Sequence, residues 1–225
     1  MAEKDASAPQ IRVWDPFVRI GHWALVVAFF VAYFTEDEAT TFHVWAGYVV
    51  GIYVVLRVVW GFAGTAHARF ADFAYAPFTA FRYLADLLRA KAKRYIGHSP
   101  AGAIMLFALL VTLSGTVVTG MAELARARGE GPLSFIIERQ AVSVDSPSAT
   151  ENDDEDLKKP GRRARDAEEE NEEEEESLLL EIHELFANAT LVLVILHIAG
   201  VIVASVMHKE SLVRAMITGF KRAEG

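Results

Sequence analysis

The 225-residue chain has no cysteine, which excludes disulfides, thiolate-held iron–sulfur clusters, Cys-containing zinc sites and covalent haem attachment through C-x-x-C-H. A Gly-rich phosphate loop, an H-E-x-x-H zinc motif and a G-x-S-x-G nucleophile elbow are also missing, so the common chemistries of soluble enzymes have no foothold. There is no internal repeat, and no lysine or arginine lies between Phe34 and Phe42.

Apolar length is what the chain does have. Hydrophobic residues make up 52% and mean hydropathy is +0.23, high for a chain that also carries a strongly acidic tract. Four stretches approach or exceed the ~20 residues that cross ~30 Å of hydrocarbon: about Phe17 to Phe34, Phe42 to Phe62, Pro100 to Met121 and Leu178 to Val206. The first is read as a retained span rather than a signal peptide, because Glu36, Asp37 and Glu38 follow it in place of a small-residue cleavage site. The expected fold is an all-α membrane protein, a single four-transmembrane-helix bundle over residues 1–225.

Basic residues orient it. Lys4, Arg12 and Arg19 precede or open the first span, Arg69, Arg82, Arg89, Lys91, Lys93 and Arg94 fill the loop after the second, and Lys209, Arg214, Lys221 and Arg222 follow the fourth. Lysine and arginine are retained on the cytoplasmic side, so both termini are expected there. Trp14 and Trp60 are expected in the inner aromatic belt and Trp45 in the outer one.

Residues 123–177 hold 18 acidic and 8 basic side chains, net −10, which leaves +2 for the rest of the chain. Such a tract reads as an external, disordered, self-repelling loop. A sharper use is electrostatic docking of a cationic partner, weakened by salt. On the opposite side, Phe70, Phe73, Phe78, Phe81, Leu84 and Leu88 recur among Arg82, Arg89, Lys91 and Lys93, the pattern of an interfacial amphipathic helix beginning near Pro77.

Four of the seven histidines fall in apolar helices, where an imidazole is costly without a partner or a function. His183 and His197 are fourteen residues apart on one helix, which separates them by ~21 Å along the axis and leaves them within ~40° of one face. That distance is too long for one metal ion and suits two sites at two depths. His43, at the outer start of the second span, matches the depth of His183; His22, in the inner part of the first, matches that of His197. Two imidazoles from different helices fill both axial positions of an iron whose equatorial plane a porphyrin occupies, so two noncovalent b-type haems are expected, paired His22–His197 and His43–His183. Gly47 and Gly51 lie on the face of His43, and Gly200 lies one turn past His197; they make room for a flat ring or, equally, for close helix packing. Arg19 and Arg57 are placed to neutralise a propionate of the inner haem, although snorkelling to headgroups is the commoner use of such residues. His67, His98 and His208 read as interfacial or structural.

These residues resemble the bacterial di-haem b-type cytochromes that include the cytochrome b subunit of nickel–iron hydrogenases. The resemblance covers W-D-P-F-V-R-I-G-H-W at Trp14–Trp23, F-H-V-W-A-G-Y at Phe42–Tyr48, L-R-V-V-W-G-F at Leu56–Phe62, A-R-F-A-D-F at Ala68–Phe73, G-H-S-P-A-G at Gly97–Gly102, and the helix of His183 and His197. It implies His22, His43, His183 and His197 as axial ligands, with transverse electron transfer between an external redox protein and the quinone pool, as an electron-transfer subunit acting in quinone reduction or quinol oxidation. The acidic connection is longer and more charged than is usual in that family, so the external partner is read as a basic c-type cytochrome or a hydrogenase; no nucleic acid partner is expected. The alternatives are a haem-free membrane anchor and a histidine-using metal or proton transporter, the latter lacking the repeated halves and broken helices such proteins show.

Overall fold

The computed structural model describes residues 9–36, 40–89, 91–136 and 160–223. Its elements are β1 (Gln10–Arg12), α1 (Pro16–Phe34), α2 (Thr40–Ala63), a 3-10 turn at Phe70–Asp72, α3 (Pro77–Leu88), α4 (Pro100–Arg128), α5 (Pro160–Met207), α6 (Leu212–Thr218) and β2 (Phe220–Arg222). Four helical segments are long and apolar enough to cross a membrane: Pro16–Phe34, Thr41–Ala63, Pro100–Arg128 and Leu178–Met207. The all-α four-span architecture expected from hydropathy is therefore present. The chain divides into two compact units, residues 1–117 with 186–225, and residues 118–185.

Two boundaries differ from the sequence reading. Helix α4 runs on to Arg128, and α5 begins at Pro160, eighteen residues before Leu178. The glutamate run from Glu168 to Glu176 is thus helical rather than irregular, since Glu, Ala and Arg are strong helix formers that apolar periodicity overlooks. The rest of the expected disordered tract, 137–159, lies outside the described residues.

In the first unit, α1 packs on α2 around Ala28, Phe29, Val50, Val54 and Leu113, with Leu191 and Val194 of α5 against this core. Helix α1 starts where it does because Pro16 presets the first turn and Asp15 caps it, accepting from Val18 N–H at 2.9 Å. Asp15 also accepts from Trp60 Nε1 at 3.0 Å and the Thr65 hydroxyl at 2.6 Å, tying both ends of this layer together. Trp14, 8% exposed, sits in a second cluster with Val13, Val18, Ala68 and Ala215, against which Trp60 packs. Both were expected in an aromatic belt; Trp14 is packed inside as an apolar core residue, and Trp60 turns its indole N–H to the Asp15 carboxylate. Trp45 is 66% exposed.

Terminal strands were not expected. β1 and β2 pair antiparallel, Gln10 opposite Arg222 and Arg12 opposite Phe220, so the segments before α1 and after α5 lie on one side of the spans. Gly219, at φ 89°, ends α6 in the left-handed region, and its carbonyl accepts from Val13 and Trp14 N–H at 2.8 and 3.2 Å. Helix α3 is amphipathic as expected: Ala80, Tyr83 and Leu87 are buried, while Phe78 and Phe81 are 78% and 70% exposed.

Asp15→Ala should lower the melting temperature in detergent, through loss of the cap, about 1 kcal/mol, and about 1–3 kcal/mol for each donor left without its acceptor. Burial raises the Asp15 carboxyl, but hydrogen bonds from Thr65, Val18 N–H, Trp60 and Phe17 N–H outweigh it and leave the group below its ordinary value. Its stabilisation is therefore present above about pH 4 and lost as pH falls through the depressed folded value. An Asp15→Asn protein whose acid profile matches the parent would contradict this.

Candidate functional site

Helices α1 and α5 meet where Tyr33 Oη donates to Asn188 Oδ1 at 2.9 Å and where Leu191 and Val194 reach the core. Three turns from Tyr33 towards the N-terminus of α1 they present His22 and His197 to each other, with ring centroids 6.5 Å apart and planes inclined by 54°. Two imidazoles bound to opposite sides of one metal, each at about 2.0–2.1 Å, place their centroids about 6 Å apart. The observed spacing fits that arrangement and is too wide for a direct hydrogen bond between the rings. His22 Nδ1 is buried with no hydrogen-bond partner among the described residues, a polar atom that a buried site ordinarily satisfies. Trp23 stands edge-on to the His22 ring at 5.3 Å.

His43 belongs to the same unit. Its Nδ1 donates to the Ala32 carbonyl at 2.9 Å, which fixes the tautomer with Nε2 as the unprotonated, ligand-type nitrogen, the backbone contact usual for a ligating histidine. His183 belongs to the other unit and is held in a related way: its Nδ1 is hydrogen-bonded to the Thr119 hydroxyl at 3.1 Å. A Cβ on Gly120 would stand 2.8 Å from His183 Cε1, closer than real Cβ contacts, so glycine there makes room for the ring. Ala32, Thr119 and Gly120 escape sequence reasoning because each acts across a helix pair; a Thr-Gly pair inside an apolar run was the one signal available.

The expected spacer glycines divide. Gly47 is half-buried with open space on its Cβ side, and Gly200 is exposed with open space. Gly51 is instead packed, its Cβ position 3.0 Å from Val117 Cγ1, a close approach of α2 and α4. The two arginines divide as well. Arg19 Nη1 lies 2.8 Å from the Cβ position of Gly219, directed to the terminal ribbon. Arg57 is 4% exposed and lies over the Phe70 ring at 5.2 Å, which rules out snorkelling for it.

The remaining histidines are structural. His98 stacks on Phe73 at 4.2 Å and meets Trp14 edge-on at 4.8 Å; burial first, then the charge of Arg57, pushes it down to about 3, so it is neutral at physiological pH. His208 Nε2 lies 3.4 Å from Tyr83 Oη, with burial lowering its pKa. His67 adopts φ 71° in the loop after α2 and closes on Gly97.

Among the described residues no group of three or more His, Asp or Glu gathers to hold a metal ion. Two opposed imidazoles supply only two ligands, and a tetrapyrrole supplies the other four, so the donor set at His22 and His197 fits haem and not a bare ion.

The family model described as prokaryotic cytochrome b561 matches residues 13–219. The chain is 26% identical over 157 residues to a protein of Rhizobium leguminosarum bv. viciae named probable Ni/Fe-hydrogenase B-type cytochrome subunit, covering 56% of this chain and 65% of that relative. A protein of the same name from Azotobacter chroococcum mcd 1 is 29% identical over 161 residues, covering 57% and 65%. Another, from Rhodobacter capsulatus, is 23% identical over 242 aligned positions, covering 94% and 81%. The chain spans just under two thirds of the length of the first two. No solved structure matches it.

Proposed function

Because the chain belongs to the prokaryotic cytochrome b561 family, we propose that it is a di-haem b-type cytochrome of a bacterial inner membrane that carries electrons between an external redox protein and the quinone pool. His22 and His197 are the axial ligands of the inner haem, and His43 and His183 those of the outer. The observation that carries this reading is the opposed pair of imidazoles from α1 and α5 at 6.5 Å. When bound, haem b supplies reversible one-electron transfer at an iron with no open coordination position.

The protein's part is to bind, orient and exclude water. Val50, Val54, Phe29 and Leu113 form a dry wall between α1 and α2, which lowers the local dielectric around a site on these helices. The Ala32 carbonyl sets the His43 ring, and the Thr119 hydroxyl with the gap at Gly120 sets that of His183. The basic residues that flank the spans support a cytoplasmic side for both termini. The relatives are named as hydrogenase subunits, which supports a hydrogenase as external partner; the net charge of −10 on residues 123–177 supports a basic one, such as a c-type cytochrome.

Purified protein is expected to show a b-type reduced-minus-oxidised spectrum with two haems per chain, reducible by quinol in liposomes. Gly120→Val should halve the haem content by displacing His183. Colourless protein would support the haem-free anchor instead, and a single haem unaffected by Gly120→Val would remove His183 from the ligand set.

A further inference from the structure

Arg57 is the most enclosed cation of the spans. It is 4% exposed, and both Nη1 and Nη2 are buried without a hydrogen-bond partner among the described residues. An ionised guanidinium taken out of water is costly unless paired, and arginine keeps its charge under all ordinary conditions. Asp15, Tyr53 and His98 are the electrostatic neighbours of Arg57, but none of them hydrogen-bonds it: Asp15 accepts from Val18, Trp60 and Thr65, while Asp72 is bonded to Arg69 and His67 N–H and Glu210 to Arg94 and Arg222 N–H.

Its position points to what completes it. His43, Gly47, Val50, Val54 and Arg57 fall at i, i+4, i+7, i+11 and i+14, one stripe of α2, and Val50 and Val54 of that stripe are core residues. Arg57 follows Tyr53 by one turn. Tyr53 donates to the Val18 carbonyl at 3.5 Å, and its ring fills the space where Gly21 would carry a Cβ. Gly21 immediately precedes His22. The guanidinium thus projects inward about one turn from the level of the His22–His197 pair, on the side nearer the polar end of the bundle.

We infer that Arg57 anchors a carboxylate of the group held by His22 and His197, a propionate of the inner haem, through its planar donor fork. This rests on the haem reading above. A carboxylate matches that fork with two parallel hydrogen bonds; the Phe70 ring, 5.2 Å from Arg57 Cζ, is a cation–π contact that takes up none of its N–H donors.

The test compares purified holoprotein with Arg57→Gln and Arg57→Lys by resonance Raman spectroscopy and by potentiometry at several pH values. In the parent, the inner haem's midpoint potential should be nearly independent of pH around neutrality, because the paired propionate stays ionised. In Arg57→Gln the propionate protonates within the accessible range. The potential of that haem then varies with pH by about tenfold in its redox equilibrium, about 59 mV for one electron, while the other haem is unchanged. The propionate-bending band should shift in both variants, since lysine keeps the charge but not the fork. A loss of packing alone would not move that band together with the pH profile of one haem. If Arg57→Gln does not accumulate, the band in Arg57→Lys decides. Two intact haems with parental band and pH profile in the variants overturn the anchor and leave the haem reading standing; haem-free parent protein overturns both.

Discussion

His197→Ala will carry one haem b where the parent carries two, and His22→Ala will lose the same one. Alanine is the best helix former, so α5 persists and the loss is attributable to the missing ligand. If the two rings clasp one iron, the double variant loses no more haem than either single one, a strong departure from additivity that marks residues acting as a unit. Thermal stability should fall in step, because a ligand bound only by the folded state stabilises it by mass action. His98→Ala is the control: its ring packs between Trp14 and Phe73, so both chromophores should remain. A double variant that loses both haems would mean that His22 and His197 serve different sites.

The second large effect lies at the terminal ribbon. Glu210→Ala should cost about 3–5 kcal/mol, the usual penalty for stranding one partner of a buried ion pair. Arg94 grips Glu210 with two hydrogen bonds, Nη2 to Oε1 at 2.8 Å and Nε to Oε2 at 3.1 Å, and the two side chains are only 14% and 8% exposed. Arg222 N–H adds a third at 3.2 Å, so the alanine variant leaves the guanidinium with its bond to the Arg222 carbonyl alone, its charge uncompensated and a backbone donor unmatched. Burial raises the Glu210 carboxyl; the Arg94 hydrogen bonds, Arg222 N–H and the charges of Arg94 and Lys221 outweigh it, and the group sits below its ordinary value. A depressed folded pKa means that the stabilisation is present above about pH 4.5 and disappears as pH falls through the folded value. Melting temperatures across that range should fall for the parent and stay flatter for Glu210→Gln; parallel curves would show that this pair contributes little.

The four spans were legible because each is a local property: a run of apolar residues long enough for hydrocarbon announces itself without reference to the rest of the chain. The amphipathic α3 was legible for the same reason, through its alternation of phenylalanine and basic residues. What was misread needed partners distant in sequence. Trp14 and Trp60 look like belt residues until Asp15 and the cluster around Ala215 draw them inside. The helical start of α5 at Pro160 was missed because a polyglutamate run has high helix propensity but no apolar period.

Periodicity and depth in the sequence alone establish that imidazoles occur at two levels of a four-helix membrane protein, since the rise and twist of a helix convert spacing into position. The fold decided which of them face one another: His22 and His197 are 175 positions apart and meet only because α1 and α5 pack together. It also decided that Ala32 and Thr119 steady the His43 and His183 rings and that Arg57 is enclosed while Arg19 turns to the ribbon. Those choices depend on how helices dock side by side, and docking is a property of paired surfaces that no single stretch of chain encodes.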